Sequence, residues 1–371
     1  MIEKISMPGQ KRSIRFFGAS LDALDIPEAV NIKRAYVEAL SLGGYFQSNL
    51  QDPYDLFRDI MGNQIKECGH QNLGRFVVDS WLTPKPQVSD LDLIREESYR
   101  YFLINDGFRA FAQLLRDFVK AHVFPHIPGM IGVDHSLTGG VLMALSECFG
   151  PENLGVLVFD VHTDAIPLPI RSGLVQYASE VGLPAVSTIS KPMTFDPYTT
   201  GNFLSHLIGE KIILPKNLIV IGPGDNAEKL RTLSDKRVVD YMRHYDSLVE
   251  RGVKIISKDQ LQQSGPATIQ KDLDQLECSK LYVSLDVDVS AQCGVLATRF
   301  VDLVGTEISI ILEAAFNIVE LLSLHRFSLV GLDIMEIDIQ KIGARLSSGI
   351  EDRTRDFIRE FIGAIVQGVS Y

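Results

Sequence analysis

The chain has 371 residues, 46% of them hydrophobic and 22% charged, with a formal net charge of −11. Its 29 glycines and 16 prolines are scattered rather than repeated, a composition that excludes a disordered chain and a repeat array. The acidic balance argues against nucleic acid or an anionic membrane as partner, since neither field attracts such a surface, and favours a neutral or cationic small molecule.

The opening residues carry early charges and no apolar centre, and no run approaches about 18 apolar residues, so neither a secretory leader nor a membrane span is predicted. The expected location is the cytoplasm, where the four cysteines, 68, 148, 278 and 293, without any C-x-x-C pair, stay reduced. Ser13–Ala19 reads as the first buried strand and Thr83–Val88 as a proline-marked surface loop. Phe108–Val123 carries apolar residues three and four apart, as a helix with one buried face does. The run HIPGMI leads into Gly132–Ser136 (GVDHS), and the strand pattern Gly155–Val161 closes in Asp160–Asp164 (DVHTD). Gly182–Tyr198, with Pro184, Pro192 and Pro197, reads as a second surface loop. Strand patterns follow at Asn217–Gly222 and Lys254–Ser257, with a helix at Asp235–Arg251 between them. Gly222–Asp225 (GPGD) lacks the spacing and lysine of a nucleotide loop and reads as a turn. Lys280–Asp288 ends in Asp-Val-Asp, Thr306–Leu322 reads as a helix and Ser328–Ile334 as the last strong strand. The alternation predicts an α/β fold, a mostly parallel sheet covered by helices on both faces, and no linker divides the chain.

In such sheets chemistry gathers where strands end. Each of the three polar clusters closes an apolar run. In extended chain, residues two apart share a face, so Asp160, His162 and Asp164 are expected to converge, as are Asp286 and Asp288. Taken alone, a D-x-D or D-x-H-x-D is as readily a loop cap or a surface charge. Together with His135 they make two imidazoles and four carboxylates, too much negative charge to bury without cations among them. Two divalent metal ions resolve that, and an oxygen-rich set with some imidazole suits manganese best, with iron, zinc or cobalt open.

The order G-x-D-H-S, D-x-H-x-D, S-x-D-x-D resembles the signature set of the arginase/agmatinase (ureohydrolase) family, over a span from Phe16–Asp25 to Val330–Asp338. The resemblance implies a three-layer α/β/α fold with a central, about eight-stranded parallel sheet, one domain over 1–371, and a homo-oligomer, commonly a trimer or hexamer. It implies His135 on a first manganese and His162 on a second, Asp160 and Asp286 bridging, Asp164 completing the first site and Asp288 the second. Catalysis would use a metal-bridging hydroxide, because a resonance-stabilised guanidinium carbon is a poor electrophile. Asp164 would pass a proton to the leaving amine. Glu336 would grip the guanidinium through two parallel N–H bonds, and His206, four residues after Asn202 rather than the family's two, is the candidate proton shuttle. Thr163 and Ser136 read as supporting or turn residues, and Cys293, with no histidine neighbour, as an inert thiol.

Against the family pattern, Ala291 stands where an aspartate is usual, 289–305 is rebuilt, and the segments near 31–73 and 165–200 read as enlarged loops. The substrate therefore stays open among guanidino and amidino compounds such as agmatine, guanidinobutyrate, an arginine derivative or formimidoylglutamate, with release of urea or a similar product. Two other readings remain: a dimetal amidohydrolase acting on a non-guanidino C–N bond, and a non-catalytic family member used for binding.

Overall fold

The computed structural model describes residues 12–44, 50–182, 194–224 and 230–368. Eight strands form one parallel sheet: β1 (Ile14–Ala19), β2 (Gln71–Arg75), β3 (Ile127–Gly132), β4 (Leu154–Phe159), β5 (Leu218–Ile221), β6 (Lys254–Ile256), β7 (Lys280–Asp286) and β8 (Ser328–Met335). Their order across the sheet is β2-β1-β3-β8-β7-β4-β5-β6, every described pairing parallel.

Strands β3, β4 and β5 are buried at every residue, which is why they read as unbroken apolar runs rather than as alternation. Alternate side chains feed two separate cores. Val156, Val158, Leu218 and Val220 enter one, with helices Gly107–Phe118, Thr138–Phe149 and Lys236–Glu250; Leu157, Phe159, Ile219 and Ile221 enter the other, with Pro53–Glu67, Ile308–Ser323 and Thr354–Gly368. The result is the expected three-layer α/β/α arrangement. No helix among the described residues is long and apolar enough to cross a membrane.

Two expectations need correction. The segments near 31–73 and 165–200 are not simply enlarged loops: the first holds most of helices Pro27–Ser41 and Pro53–Glu67, the second Leu168–Glu180. Asp52 caps Pro53–Glu67 by accepting from the amides of Tyr54 and Asp55. Pro27–Ser41 buries Val30, Lys33 and Val37, so a lysine interrupts the apolar stripe that marks a helix. Most of the loop Gly182–Tyr198, and Asp225 of the GPGD turn, lie outside the described residues.

Candidate metal centre

Four adjacent strands, β3, β8, β7 and β4, deliver the candidate residues at their carboxyl ends. After β3 the chain enters a short turn, His135–Leu137, capped by Asp134, which accepts from the Ser136 amide at 3.1 Å. Gly132 allows this: a Cβ there would stand 2.6 Å from the Ala19 carbonyl oxygen and 2.7 Å from Met335 Cε. The acids after β4 converge by a route other than strand alternation. The strand stops at Phe159, the His162 amide donates to Asp160 Oδ1 at 2.6 Å, the Val161 amide donates to Asp288 Oδ1 at 3.2 Å, and Asp164 turns the chain with φ of 47°. A left-handed aspartate costs on the order of 1–3 kcal/mol and persists where surrounding structure imposes it. Asp286 closes β7 and caps the turn Val287–Ser290 by accepting from the Asp288 amide at 2.9 Å.

The six residues form two groups. His135 Nδ1 lies 3.3 Å from Asp160 Oδ2, 3.1 Å from Asp164 Oδ2 and 3.2 Å from Asp286 Oδ2. His162 Nδ1 lies 3.4 Å from Asp160 Oδ1 and 3.1 Å from Asp288 Oδ2. Within each group the candidate ligand atoms fall within 4.8 Å of one another. Asp160 belongs to both and turns one oxygen to each; Asp286, expected as a second bridge, stands in the first group.

The donor set fits two cations. His135 Nδ1, Asp160 Oδ2 and Asp288 Oδ2 are buried without a hydrogen-bond partner, and all three face the groups just described. Buried polar atoms are rarely left so in a folded protein. Charge tells the same story. Burial and then the like charge of Asp160 push Asp164 up to about 7. Burial, Asp288 and Asp160 raise Asp286, and burial and Asp160 raise Asp288. Burial would lower both imidazoles, yet the surrounding carboxylates hold His135 and His162 well above the usual histidine value. Burial works on Asp160 too, but the two imidazoles beside it, one at each oxygen, win and hold it low. Without metal, protons stand in for cations in this cluster.

The far side of each imidazole is held. Ser284 Oγ donates to Asp333 Oδ1 at 2.6 Å and so accepts from His135 Nε2 at 2.8 Å, which leaves Nδ1 as the nitrogen that faces the acids and would be offered to a metal ion. Asp333, 1% exposed, also accepts from Thr138 Oγ1 at 2.6 Å and Tyr282 Oη at 2.5 Å. His162 Nε2 lies 3.3 Å from Asp302 Oδ1. Replacing Asp302 with Asn is expected to weaken metal binding at one position ~10–100-fold and spare the other, as loss of a carboxylate behind a metal-bound histidine does. Titration calorimetry with manganese checks this; two undisturbed binding steps would show that Asp302 does not orient His162.

Glu336 follows β8 with φ of 61° and is 1% exposed. Its Oε1 accepts from the His135 amide at 3.1 Å and from Thr200 Oγ1 at 2.9 Å, and Oε2 lies 3.3 Å from Arg299 Nη1. Burial pushes its carboxyl up to about 8, with Arg299 opposing and Asp134 adding to the rise. His206 sits apart. It lies on helix Phe203–Gly209, whose first turn touches the site: Phe203 packs on the His135 ring at 5.0 Å and the Leu204 amide donates to the Asp164 carbonyl. One turn on, His206 Nε2 faces Asp196 at 3.5 Å and its ring meets Tyr198; among the described residues no hydrogen bond or ion pair joins it to the six. Ser136 is held by Asp134, as a turn residue. Cys293 donates to the Gly305 carbonyl, and burial followed by Glu307 raises its thiol, the opposite of an activated nucleophile.

Sequence reasoning gave no role to Ser284, although it opens the S-x-D-x-D motif, nor to Asp333, Asp302 and Arg299. Ser284 and Asp333 did leave a signal, each a polar residue inside an otherwise apolar strand.

The arginase family model matches residues 71–341. No curated protein matches the chain by sequence. Among solved structures, the proclavaminate amidino hydrolase of Streptomyces clavuligerus is 18% identical with a TM-score of 0.53, covering 97% of this chain and 92% of its own. The arginase of Bacillus cereus is 14% identical, TM-score 0.55, with coverage of 96% and 98%. A formiminoglutamase variant of Trypanosoma cruzi, solved with Mn2+, is 12% identical, TM-score 0.56, with coverage of 100% and 97%.

Proposed function

We propose a function from one premise: the chain belongs to the arginase family. As a member it is a hydrolase acting on carbon–nitrogen bonds, other than peptide bonds, in linear amidines. Our reading is that residues 1–371 make one catalytic domain that takes two manganese ions and hydrolyses a guanidino or amidino small molecule, releasing urea or a similar product. The observation that carries it is the pair of carboxylate–imidazole groups sharing Asp160, with buried unpartnered atoms turned into both. The oxygen-rich donors favour manganese, and the Trypanosoma cruzi relative was solved with that ion.

In this reading His135, Asp160, Asp164 and Asp286 hold the first ion, and Asp160, His162 and Asp288 the second. The ions, when bound, supply the Lewis acidity that activates water against a resonance-stabilised amidine carbon. The protein's own groups do the rest. Asp164, whose carboxylate stands beside His135 and Asp160 at the centre of the cluster, would take the proton that attacking water gives up and return it to the leaving amine. Ser284 and Asp302 fix the imidazole planes, so the cluster needs no reorganisation as charge develops. Glu336 is the candidate to orient the amidinium, on terms set by Arg299. His206, paired with Asp196, enters only as an outer proton relay. A trimer or hexamer is the expected assembly.

The test is metal content of protein purified with manganese, together with a screen of guanidino and formimidoyl compounds for urea and ammonia. Near two ions per chain and product from one compound is the expected result. Two ions without product from any linear amidine would favour the amidohydrolase reading. No bound metal and no thermal stabilisation by manganese would leave only a binding role.

A further inference from the structure

A carboxylate that grips a substrate amidinium needs an edge able to accept two parallel N–H bonds. At Glu336 that edge is taken. Oε1 accepts from His135 and Thr200, and Oε2 faces a guanidinium the chain itself supplies, that of Arg299.

The backbone brings Arg299 there. Its amide donates to the Glu336 carbonyl at 3.1 Å, and the preceding Thr298 pairs with Ile337 in an antiparallel bridge. The rebuilt segment after β7 is thereby laced to the end of β8. The side chain is 6% exposed and ringed by acids: Nη1 lies 3.1 Å from Asp134 Oδ2 as well as 3.3 Å from Glu336, and Nη2 lies 3.1 Å from Asp22 Oδ1. The hold is an ion cage rather than a bidentate fork, since the buried Nη2 makes no aligned hydrogen bond.

Arg299 also lines a cavity of about 640 Å³, together with Asp22, Phe300, Val133, Ile337 and Lys341 among others. That volume suits a small ligand. Its wall includes neighbours of Asp134 and Glu336 in sequence, yet neither acid nor any of the six candidate ligands. Arg299 thus touches both the cavity and Glu336, which does not line it, and the Phe300 ring stands 6.1 Å from His162.

We infer that Arg299 is a specificity-determining residue, an internal guanidinium that occupies Glu336 and competes there with any guanidinium ligand arriving from the cavity. This rests on the proposed reading insofar as Glu336 is the recognition carboxylate. A ligand whose reacting group needs no grip at Glu336 escapes the competition; a guanidino compound must displace Arg299 first and loses affinity by that displacement.

The test uses the full chain, metal-free and manganese-loaded, with Arg299→Ala and the bulk-preserving Arg299→Met. Guanidinium and methylguanidinium chloride at low millimolar concentration, against potassium chloride at equal ionic strength, are the probes, and the melting temperature is the readout. Guanidinium is expected to raise it by about 1–3 °C in both variants and not in the natural chain, as a ligand entering a vacated site does. The rise should vanish when Glu336→Gln is added. For a guanidino substrate, KM should fall about tenfold in the variants while kcat changes little, the signature of a removed competitor in the ground state. Arg299→Lys guards against variants that fail to fold: it keeps a cation among three acids, and guanidinium should stabilise it more than the natural chain. Equal shifts in the natural chain and the variants, or none in any, would reduce Arg299 to a structural ion pair. The thermal readout needs no turnover, so a variant that takes guanidinium in a protein inactive on every amidine would keep this inference and overturn the catalytic reading instead.

Discussion

Asp160→Asn is expected to lower bound manganese from near two ions per chain to below one and to cut turnover by roughly 10³-fold or more, since two-metal activation supplies several kcal/mol of barrier lowering. The geometry sets both expectations. Asp160 is the residue shared by the two groups, with Oδ2 toward His135 and Oδ1 toward His162. An amide keeps one acceptor oxygen and turns an N–H dipole toward the other position, so one ion loses a charged ligand and the other meets a repulsive group. Asp288→Asn supplies the contrast, because Asp288 serves the second group alone and its loss should leave content near one. Elemental analysis of the two variants beside the natural chain decides the matter. Two ions retained by Asp160→Asn would sink the shared-carboxylate arrangement.

The clustering of the candidate ligand set was legible because its residues lie within short motifs at strand ends, where local periodicity and clustered charge are visible together. His135, Asp160, His162, Asp164, Asp286 and Asp288 all fall into the two groups. What local sequence did not show is how the chain folds back. Asp164 converges through a left-handed backbone and not by strand alternation. The residues behind the ligands are distant in sequence from what they hold: Ser284 is 149 residues from His135, and Asp302 is 140 from His162. No periodicity reports such pairings. Helices were lost for a related reason. Lys33 breaks the apolar stripe of Pro27–Ser41 because its buried ammonium pairs with Asp22 at 3.1 Å, the same acid that faces Arg299. Leu168–Glu180 buries only Leu168 and Ser172, too few to show a period. The edge strand β2, Gln71–Arg75, is largely exposed and lacks the apolar run that marked its neighbours. Arg299 was read only as part of a segment departing from the family pattern, and its partners became visible once β1, β3 and β8 stood side by side.

Asp333→Ala is expected to destabilise the metal-free protein by about 2–5 kcal/mol, because each buried donor left without its acceptor costs ~1–3 kcal/mol and some of that is recovered by rearrangement. Three hydroxyls converge on this one carboxylate, those of Ser284, Thr138 and Tyr282, from two other strands' neighbourhoods, at a residue 1% exposed in β8. The second consequence runs through Ser284. Released from Asp333, its hydroxyl is free to rotate, and the acceptor that keeps the proton on His135 Nε2 is lost. Manganese affinity should then fall by ~10–100-fold, the usual effect of losing a group that orients a ligating histidine. The two effects separate by variant. Tyr282→Phe removes one donor and leaves the Ser284–His135 link, so it should cost stability and spare metal affinity; Ser284→Ala removes a donor and the link together and should cost both. Urea unfolding of metal-free protein reads the first effect and manganese titration reads the second. If Tyr282→Phe and Ser284→Ala lowered metal affinity alike, Asp333 would act on the metal centre through general packing and not through the orientation of His135.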